Sequence, residues 1–170
     1  MLLGEYMRDD LILCDLRSQE KTEVIEEIVD LFAKAGVVGN RDIFRDTIRK
    51  REELESTAIG YGVAIPHGRS DSVKELKIAF ARSKNGVDFQ ALDKKPVYII
   101  FMIAAPAEAR KEYLQIVAKI ARLSKSRIMR EALHNIETPE EVMELIHDFD
   151  SMLVEDIKVK LRDGRIIHKE

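Results

Sequence analysis

The chain has 170 residues, of which 45% are apolar, and this is enough to bury one good hydrophobic core in a single main domain. The formal net charge is only −3, so no excess of basic residues points to nucleic acid as a partner. The single cysteine, Cys14, excludes an internal disulfide and is typical of a reducing compartment.

The first half of the chain alternates between strand-like and helix-like segments, which predicts an α/β domain. Residues 11–16 predict a first strand, and Ser18 offers a cap for the amphipathic helix that follows it. Asn40 can cap a second helix, whose last turns contain Arg51. We therefore expect this second helix to carry Arg51 toward the loop within residues 60–69.

The second half predicts two buried strands and then three helices. The strands are residues 76–83 and 97–105, and the second is almost wholly apolar, as expected in the middle of a sheet covered on both faces. Helical spacing returns in two segments after Pro106. The sequence Thr138-Pro139-Glu140-Glu141 combines a cap, a proline at the first helical position and a glutamate at the third, and it opens a last helix.

The C-terminal tail has a different pattern. Apolar and charged residues alternate over residues 157–161, before the turn dipeptide Asp163-Gly164. This predicts a C-terminal β-hairpin extension, residues 151–170, beside a main domain of residues 1–150. Because a two-stranded hairpin is marginal alone, it must pack on its own domain or on a second copy of the chain, as a homodimer contact.

Several functional classes have no signal in the sequence. The longest apolar run, residues 97–106, is too short to cross a bilayer, and the N-terminus has no basic region followed by an apolar core. We therefore expect a cytoplasmic protein with no direct membrane insertion. There is no His-x-His or paired-cysteine pattern for a metal, and Gly60-Tyr61-Gly62 lacks the later glycine of a dinucleotide fingerprint. No metal or other cofactor is expected.

The most informative segment sets His67 between Pro66 and Gly68, directly after a short apolar run. Pro66 fixes its own backbone and favours extended geometry at Ile65, while Gly68 has no side chain to crowd an incoming group. We therefore expect His67 to lie just past a strand end. Imidazole has an unperturbed pKa of about 6.5, so near neutral pH its free base can attack phosphorus, bind a metal or move a proton.

A longer pattern surrounds this histidine, made up of Glu52, the pair Ile59-Gly60 and the run Val63-Ala64-Ile65-Pro66-His67-Gly68. In order and spacing it resembles the active-site signature of the type-2 enzyme IIA family. That family comprises the fructose, mannitol and nitrogen-regulatory phosphocarriers of the bacterial sugar phosphotransferase system. The order of predicted strands and helices fits the family's domain from Leu11 to Phe149. The resemblance implies an α/β fold with a mixed β-sheet flanked by helices on both faces.

The resemblance also implies a phosphotransferase, in which Nε2 of His67 takes a phosphoryl group from the phosphohistidine of the small carrier HPr. The group then passes to a cysteine of an enzyme IIB protein. Arg51 matches an arginine of the family, and the planar fork of donors on a guanidinium suits phosphoryl oxygens. Ser56 and Thr57 are candidates for further hydroxyl donors, and Tyr61 is a candidate docking contact.

The chain departs from the family at Tyr113, where a second histidine is common. A tyrosine hydroxyl can donate a hydrogen bond to a phosphoryl oxygen, but it cannot exchange a proton near pH 7 as imidazole can. We therefore expect phosphorylation of His67 to survive with a different rate or donor. Tyr61 stands where mannitol-type members carry a glutamate, which favours fructose-like or nitrogen-regulatory members.

Three functions remain open from the sequence. The first is a phosphocarrier that feeds sugar uptake, with fructose-like specificity. The second is a nitrogen-regulatory type of protein, whose phosphorylation at His67 switches binding to a partner. The third is a degenerate domain that is no longer phosphorylated, for which Tyr113 is the reason.

Overall fold

A mixed β-sheet forms the middle layer of the fold. The computed structural model describes the backbone of residues 1–162 and the side chains of residues 1–152. Its strands are β1 (Ile12–Leu13), β2 (Ala58–Gly60), β3 (Val63–Ala64), β4 (His67–Arg69), β5 (Lys77–Val87) and β6 (Val97–Ala105). They lie in the order β1-β5-β6-β3-β2, and β4 also pairs with β6. The β5/β6 and β2/β3 pairs are antiparallel and the other pairs are parallel.

Helices pack on both faces of this sheet, which confirms the predicted fold class. They are α1 (Lys21–Lys34), α2 (Arg41–Leu54), α3 (Arg110–Ser124), α4 (Arg127–His134) and α5 (Pro139–Arg162). Helices α1 and α2 share one hydrophobic cluster, in which the rings of Phe32 and Phe44 meet edge to face at 5.8 Å. Helices α3, α4 and α5 contribute to the second cluster. None of the described helices is both long and apolar enough to cross a membrane.

From Ile99 onward, strand β6 divides these two clusters by alternation. Ile100 and Met102 belong to the cluster under α1 and α2, whereas Ile99, Phe101 and Ile103 belong to the cluster under α3, α4 and α5. Side chains along a strand point alternately to opposite faces, so a strand covered on both sides must be apolar at every position. This is why β6 reads as a continuous apolar run.

The predicted strands differ from the observed ones mainly at their ends. Strand β6 has the predicted bounds. The first strand, predicted over residues 11–16, is limited to Ile12–Leu13. Strand β5 extends past the predicted residues 76–83 to Val87, through a shift in register that Gly86 accommodates with a φ of 87°. Glycine adopts a positive φ without the steric cost that other residues incur.

Two of the three predicted helix caps are confirmed, at Asn40 and at Thr138. The side chain of Asn40 accepts a hydrogen bond from the backbone N–H of Ile43 at 3.2 Å and so caps α2. The cap predicted at Ser18 is wrong, because α1 begins only at Lys21. The Ser18 hydroxyl instead donates to Oε1 of Glu27 at 2.8 Å, and this bond ties the preceding loop to the helix.

The last helix begins where the sequence predicts and runs further than expected. Helix α5 starts at Pro139, and the Thr138 hydroxyl accepts a hydrogen bond from the N–H of Glu141 at 3.3 Å. The helix then continues to Arg162, so the predicted domain boundary after Asp150 lies inside it. Asp150 also accepts hydrogen bonds from the N–H groups of Leu3 and Gly4, both at 2.9 Å, which joins α5 to the start of the chain.

The first strand of the predicted C-terminal hairpin is wrong, because residues 157–161 are helical. The apolar residues Val154, Ile157 and Leu161 are three and four positions apart, which is the helical period, and no glycine or proline lies between Pro139 and Arg162 to stop the helix. The alternation that predicted a strand is therefore overridden. The turn at Asp163-Gly164 and the second strand of the predicted hairpin lie outside the described residues. The homodimer contact predicted through this hairpin therefore cannot use residues 157–161 as a strand.

A glycine sets the distance between α2 and the sheet. A Cβ atom added to Gly68 would lie 2.9 Å from Cγ2 of Thr47 and 3.3 Å from Cδ1 of Ile48. Gly68 is buried, so its missing side chain makes room for α2 rather than for an incoming group. This close approach brings the helix that carries Arg51 against the strand that carries His67.

We expect Gly68→Ala to lower the free energy of unfolding by about 1–3 kcal/mol, because the added methyl group forces α2 away from β4. Thermal unfolding should show a fall in Tm of about 2–4 °C for each kcal/mol lost. In a Thr47→Ala background the same substitution should cost less, since the Cγ2 atom that it meets is gone. An equal loss in both backgrounds would contradict this packing account.

Candidate active site

His67 opens strand β4, near the carboxyl end of its neighbour β6. It pairs with Ile103 of β6, and the carbonyl of the preceding Pro66 accepts a hydrogen bond from the N–H of Ile103 at 2.9 Å. Backbone pairing therefore fixes the position of the histidine. Its side chain is half-buried, so the ring is supported by the fold yet remains open to a visiting group.

A short hydrogen bond sets the tautomer of this histidine. Nδ1 of His67 lies 2.6 Å from the carbonyl oxygen of Ile65. A carbonyl oxygen can only accept, so Nδ1 carries the proton in this bond. In the neutral ring the lone pair is then on Nε2, the nitrogen that the resemblance expects to attack phosphorus.

The surroundings of His67 keep its ring neutral. Burial is the main cause that lowers the pKa of His67 below its ordinary value, and the positive charge of Arg51 lowers it further. The hydrogen bond to Ile65 and the negative charge of Glu52 act in the opposite direction and do not overcome these effects. At neutral pH the imidazole is therefore a free base, ready to act as a nucleophile.

Arg51 lies in the last turn of α2, as the sequence predicts. Its Nη1 donates a hydrogen bond to the carbonyl oxygen of Glu55 at 2.8 Å, which fixes the side chain just beyond the helix end. Its charge acts on the pKa values of both His67 and Tyr113. The structure thus places Arg51 close enough to His67 for its charge to lower the pKa of the imidazole.

The next residue, Glu52, supports this end of α2 from inside the fold. Glu52 is only 6% exposed and accepts hydrogen bonds from the N–H of Thr57, at 3.1 Å, and from the Thr57 hydroxyl. It also forms an ion pair with Nζ of Lys21, at 2.9 Å. The sequence gives no signal for Lys21, since nothing in a linear pattern connects the start of α1 with the end of α2.

Tyr113, where the family commonly has a second histidine, lies beside His67. It is in the first turn of α3, and its ring meets that of His67 edge to face, with centroids 5.3 Å apart and planes at 64°. Burial raises the pKa of Tyr113, although the charges of Arg51 and Arg69 oppose the rise. The phenol therefore keeps its proton near neutral pH and can act only as a hydrogen-bond donor or acceptor.

The two predicted hydroxyl donors are engaged within the fold. The Ser56 hydroxyl donates to the carbonyl oxygen of Phe89 at 2.8 Å and accepts from the N–H of Ala58 at 3.2 Å. Thr57 is 3% exposed, and its hydroxyl donates to Glu52. Both residues shape the loop after α2, and neither hydroxyl is directed toward an incoming group.

Tyr61 lies at the other end of the sheet from His67. Val63 pairs with Ile99 and His67 pairs with Ile103, so these two positions are about 13 Å apart along β6, and Tyr61 is further away still. Its exposed ring stacks against the guanidinium of Arg130, 4.6 Å from Cζ to the ring centroid. An open cavity of about 660 Å³ is located there and not at His67.

Among the described residues, no three histidine, cysteine, aspartate or glutamate side chains gather in a way that could hold a metal ion. The chemistry that the described side chains offer at His67 is that of a neutral imidazole nucleophile, a nearby guanidinium and a phenol.

Comparison with known proteins identifies the family. Residues 5–149 match the family described as "Phosphoenolpyruvate-dependent sugar phosphotransferase system, EIIA 2". The chain is 36% identical to a fructose-specific EIIA component from Haloferax volcanii, over 81% of this chain and 89% of that protein. It is 35% identical to a fructose-specific EIIABC component from Bacillus subtilis, over 88% of this chain but only 24% of that longer protein.

A solved structure supports the same assignment. The nitrogen regulatory protein IIA-Ntr from Neisseria meningitidis is similar in fold, with a TM-score of 0.79 and 34% identity. The similarity covers 84% of this chain and 97% of the other. The match in sequence, extent and fold therefore places the chain in the EIIA 2 family of the phosphoenolpyruvate-dependent sugar phosphotransferase system.

Proposed function

We propose that the protein is a cytoplasmic phosphocarrier, which accepts a phosphoryl group on Nε2 of His67 from phospho-HPr and passes it to a cysteine of an enzyme IIB protein. The observation that carries this proposal is the bond from Nδ1 of His67 to the Ile65 carbonyl, which leaves a lone pair on Nε2 beside Arg51. The fructose-specific names of two relatives support fructose-like uptake as the pathway served.

The transfer itself needs no proton movement at Nε2. The lone pair of Nε2 forms a new P–N bond while the P–N bond of the donor phosphohistidine breaks, and the bonding pair returns to the donor ring. In the second step a thiolate of the enzyme IIB partner attacks phosphorus and the bonding pair returns to Nε2. Such transfers depend on in-line positioning and on stabilisation of the equatorial oxygens.

Three groups stabilise the phosphorylated state. The His67 ring becomes positively charged when both nitrogens are substituted, and the Ile65 carbonyl accepts from its Nδ1–H. Arg51 offers guanidinium donors to the phosphoryl oxygens, provided that its side chain turns from the Glu55 carbonyl or uses its remaining N–H groups. Tyr113 can donate one hydroxyl hydrogen bond to the same oxygens, since its ring contacts that of His67.

A regulatory role is the second candidate, supported by the similarity to the nitrogen regulatory protein of Neisseria meningitidis. In this role phosphorylation of His67 controls binding to a target protein. The two roles differ in the fate of the phosphoryl group. Only the carrier passes the group on to an enzyme IIB cysteine, whereas the regulator retains it until the signal is reversed.

We expect the intact mass of the native protein to rise by one acid-labile phosphoryl group after incubation with phosphoenolpyruvate, enzyme I and HPr. His67→Ala should show no increase, because it lacks the nucleophile. His147→Ala is the matched control, since His147 is exposed on α5 and away from β4, and it should gain the group as the native chain does. A phosphorylated His67→Ala variant, or an unmodified native protein, would overturn the proposal.

We expect the rate of phosphoryl acceptance to be nearly constant above about pH 7 and to fall in acid. The reason is that burial lowers the pKa of His67, so Nε2 is protonated and loses its lone pair only below the ordinary value of about 6.5. The midpoint can be measured from the rate and, separately, by NMR titration of the ring. A midpoint above that of the unfolded chain would contradict the burial argument.

We expect Arg51→Ala to slow phosphorylation by about a hundredfold, the order of magnitude found when one transition-state donor is removed. Because the charge of Arg51 helps to lower the pKa of His67, the same variant should also raise that pKa. Arg51→Lys keeps a positive charge but loses the planar fork of donors. The pKa of His67 in this variant should therefore be closer to the native value than its rate of phosphorylation is to the native rate. Native rates for Arg51→Ala would exclude it from the site.

A further inference from the structure

A second arginine, Arg69, stands on the same strand as His67. The two residues are separated by Gly68, and a Cβ atom added to Gly68 would point at Thr47 of α2. Alternate residues of a strand point to the same face and are about 6.6 Å apart. The side chains of His67 and Arg69 therefore both project toward the side of the sheet on which α3 packs.

The position of the Arg69 guanidinium is fixed by two contacts near the site. Its Nη1 donates to the carbonyl oxygen of Ala107 at 2.7 Å, and its Cζ atom lies 5.9 Å from the centroid of the Tyr113 ring. That same ring meets the ring of His67 at 5.3 Å. Arg69 and His67 thus contact one tyrosine, which places the guanidinium at the edge of the site.

The charge of Arg69 is not neutralised by the described side chains. Among residues 1–152, neither Arg69 nor Arg51 lies within 4.0 Å of a carboxylate oxygen, whereas Arg41, Arg45 and Arg49 each form such pairs. Only one of the five N–H donors of Arg69 is taken up by Ala107. Arg69 is exposed, and its remaining donors, which make no hydrogen bond to a described residue, can bind an anion.

We propose that Arg69 is a second phosphoryl-binding arginine, which contacts the oxygens of the phosphoryl group on His67 together with Arg51. This inference rests on the proposed function and extends it. A phosphoryl group attached to Nε2 carries up to two negative charges on three oxygens, which offer more acceptor sites than one guanidinium fork can fill. Arg51 approaches from α2 and Arg69 from β4, so the two guanidinium groups reach the equatorial oxygens from different elements.

Phosphorylation by phosphoramidate separates this role from partner docking, since that small donor has no protein surface. In the transfer, Nε2 of His67 attacks phosphorus and the P–N bond of the donor breaks, with ammonia as the leaving group. We expect Arg69→Ala to lower the rate by about tenfold to a hundredfold, the range for losing one charge-assisted hydrogen bond. Arg69→Lys should recover part of the rate, because it keeps the charge without the fork.

The matched control is Arg122→Ala, which removes an equal charge from an exposed position in the last turn of α3. It should keep the native rate, and thermal unfolding checks that each variant is folded. A native rate for Arg69→Ala with phosphoramidate would overturn the proposal. A loss seen only with phospho-HPr would also overturn it, because Arg69 would then act in docking alone.

A second measurement tests Arg69 without any transfer. Inorganic phosphate is titrated into the unmodified protein, and the ring resonances of His67 are followed by NMR. We expect phosphate to bind about tenfold more weakly to Arg69→Ala than to the native chain and to Arg122→Ala. Equal midpoints for all three would overturn the role of Arg69. If neither donor phosphorylates the native chain, the proposed carrier function fails, and this titration still decides whether Arg69 binds the anion.

Discussion

The close contact between α2 and β4 at Gly68 is the constraint on which the site depends. A backbone without a Cβ atom lets Thr47 and Ile48 pack directly against the strand. His67 directly precedes Gly68 on β4, and Arg51 follows Thr47 and Ile48 on α2. One packing contact therefore positions both His67 and Arg51. No direct bond between the two side chains is needed. Their relation is set by the distance between two elements of a rigid core.

Buried ionic contacts then hold the end of α2 where this packing leaves it. The carboxylate of Glu52 would be costly to bury alone, but Lys21 and Thr57 satisfy it. Lys21 also lies 4.9 Å from the ring centroid of Phe89, whose carbonyl accepts from Ser56. Helix α1, the end of α2 and the loop after it are therefore one connected unit. Glu52 anchors this unit, and the charge of the neighbouring Arg51 acts on His67.

The sequence predicted those parts of the structure that depend on local pattern. The apolar run of β6, the cap at Asn40, the start of α5 and the place of Arg51 in the last turn of α2 all follow from spacing along the chain. Interactions between distant segments were not accessible in this way. Lys21 pairs with Glu52, and Arg69 contacts the ring of Tyr113, only because the fold brings these distant elements together. Tyr61 is near His67 in sequence but far from it in space, since β3 runs along β6 between them. At residues 157–161 the apolar residues fit both the strand period of two and the helical period, and the structure there is a continuation of helix α5.

The proposed phosphorylation of His67 places two conflicting requirements on its ring, and the surrounding groups resolve the conflict. Burial favours the neutral ring that can attack phosphorus, yet the phosphorylated ring is positively charged and is disfavoured by the same burial. The Ile65 carbonyl opposes this penalty, because a hydrogen bond from a charged ring is stronger than one from a neutral ring.

In the proposed function, Arg51 distinguishes phosphorylation of Nε2 from protonation of the same nitrogen. A proton on Nε2 leaves a net positive ring, which the guanidinium repels. A phosphoryl group leaves the same positive ring joined to a doubly charged anion, so the whole adduct is negative and the guanidinium attracts it. One positive group therefore disfavours protonation and favours phosphorylation at the same nitrogen. A neutral donor such as the Tyr113 hydroxyl can bind the phosphoryl oxygens but cannot make this distinction by charge, which is the physical reason to expect arginine at such a site.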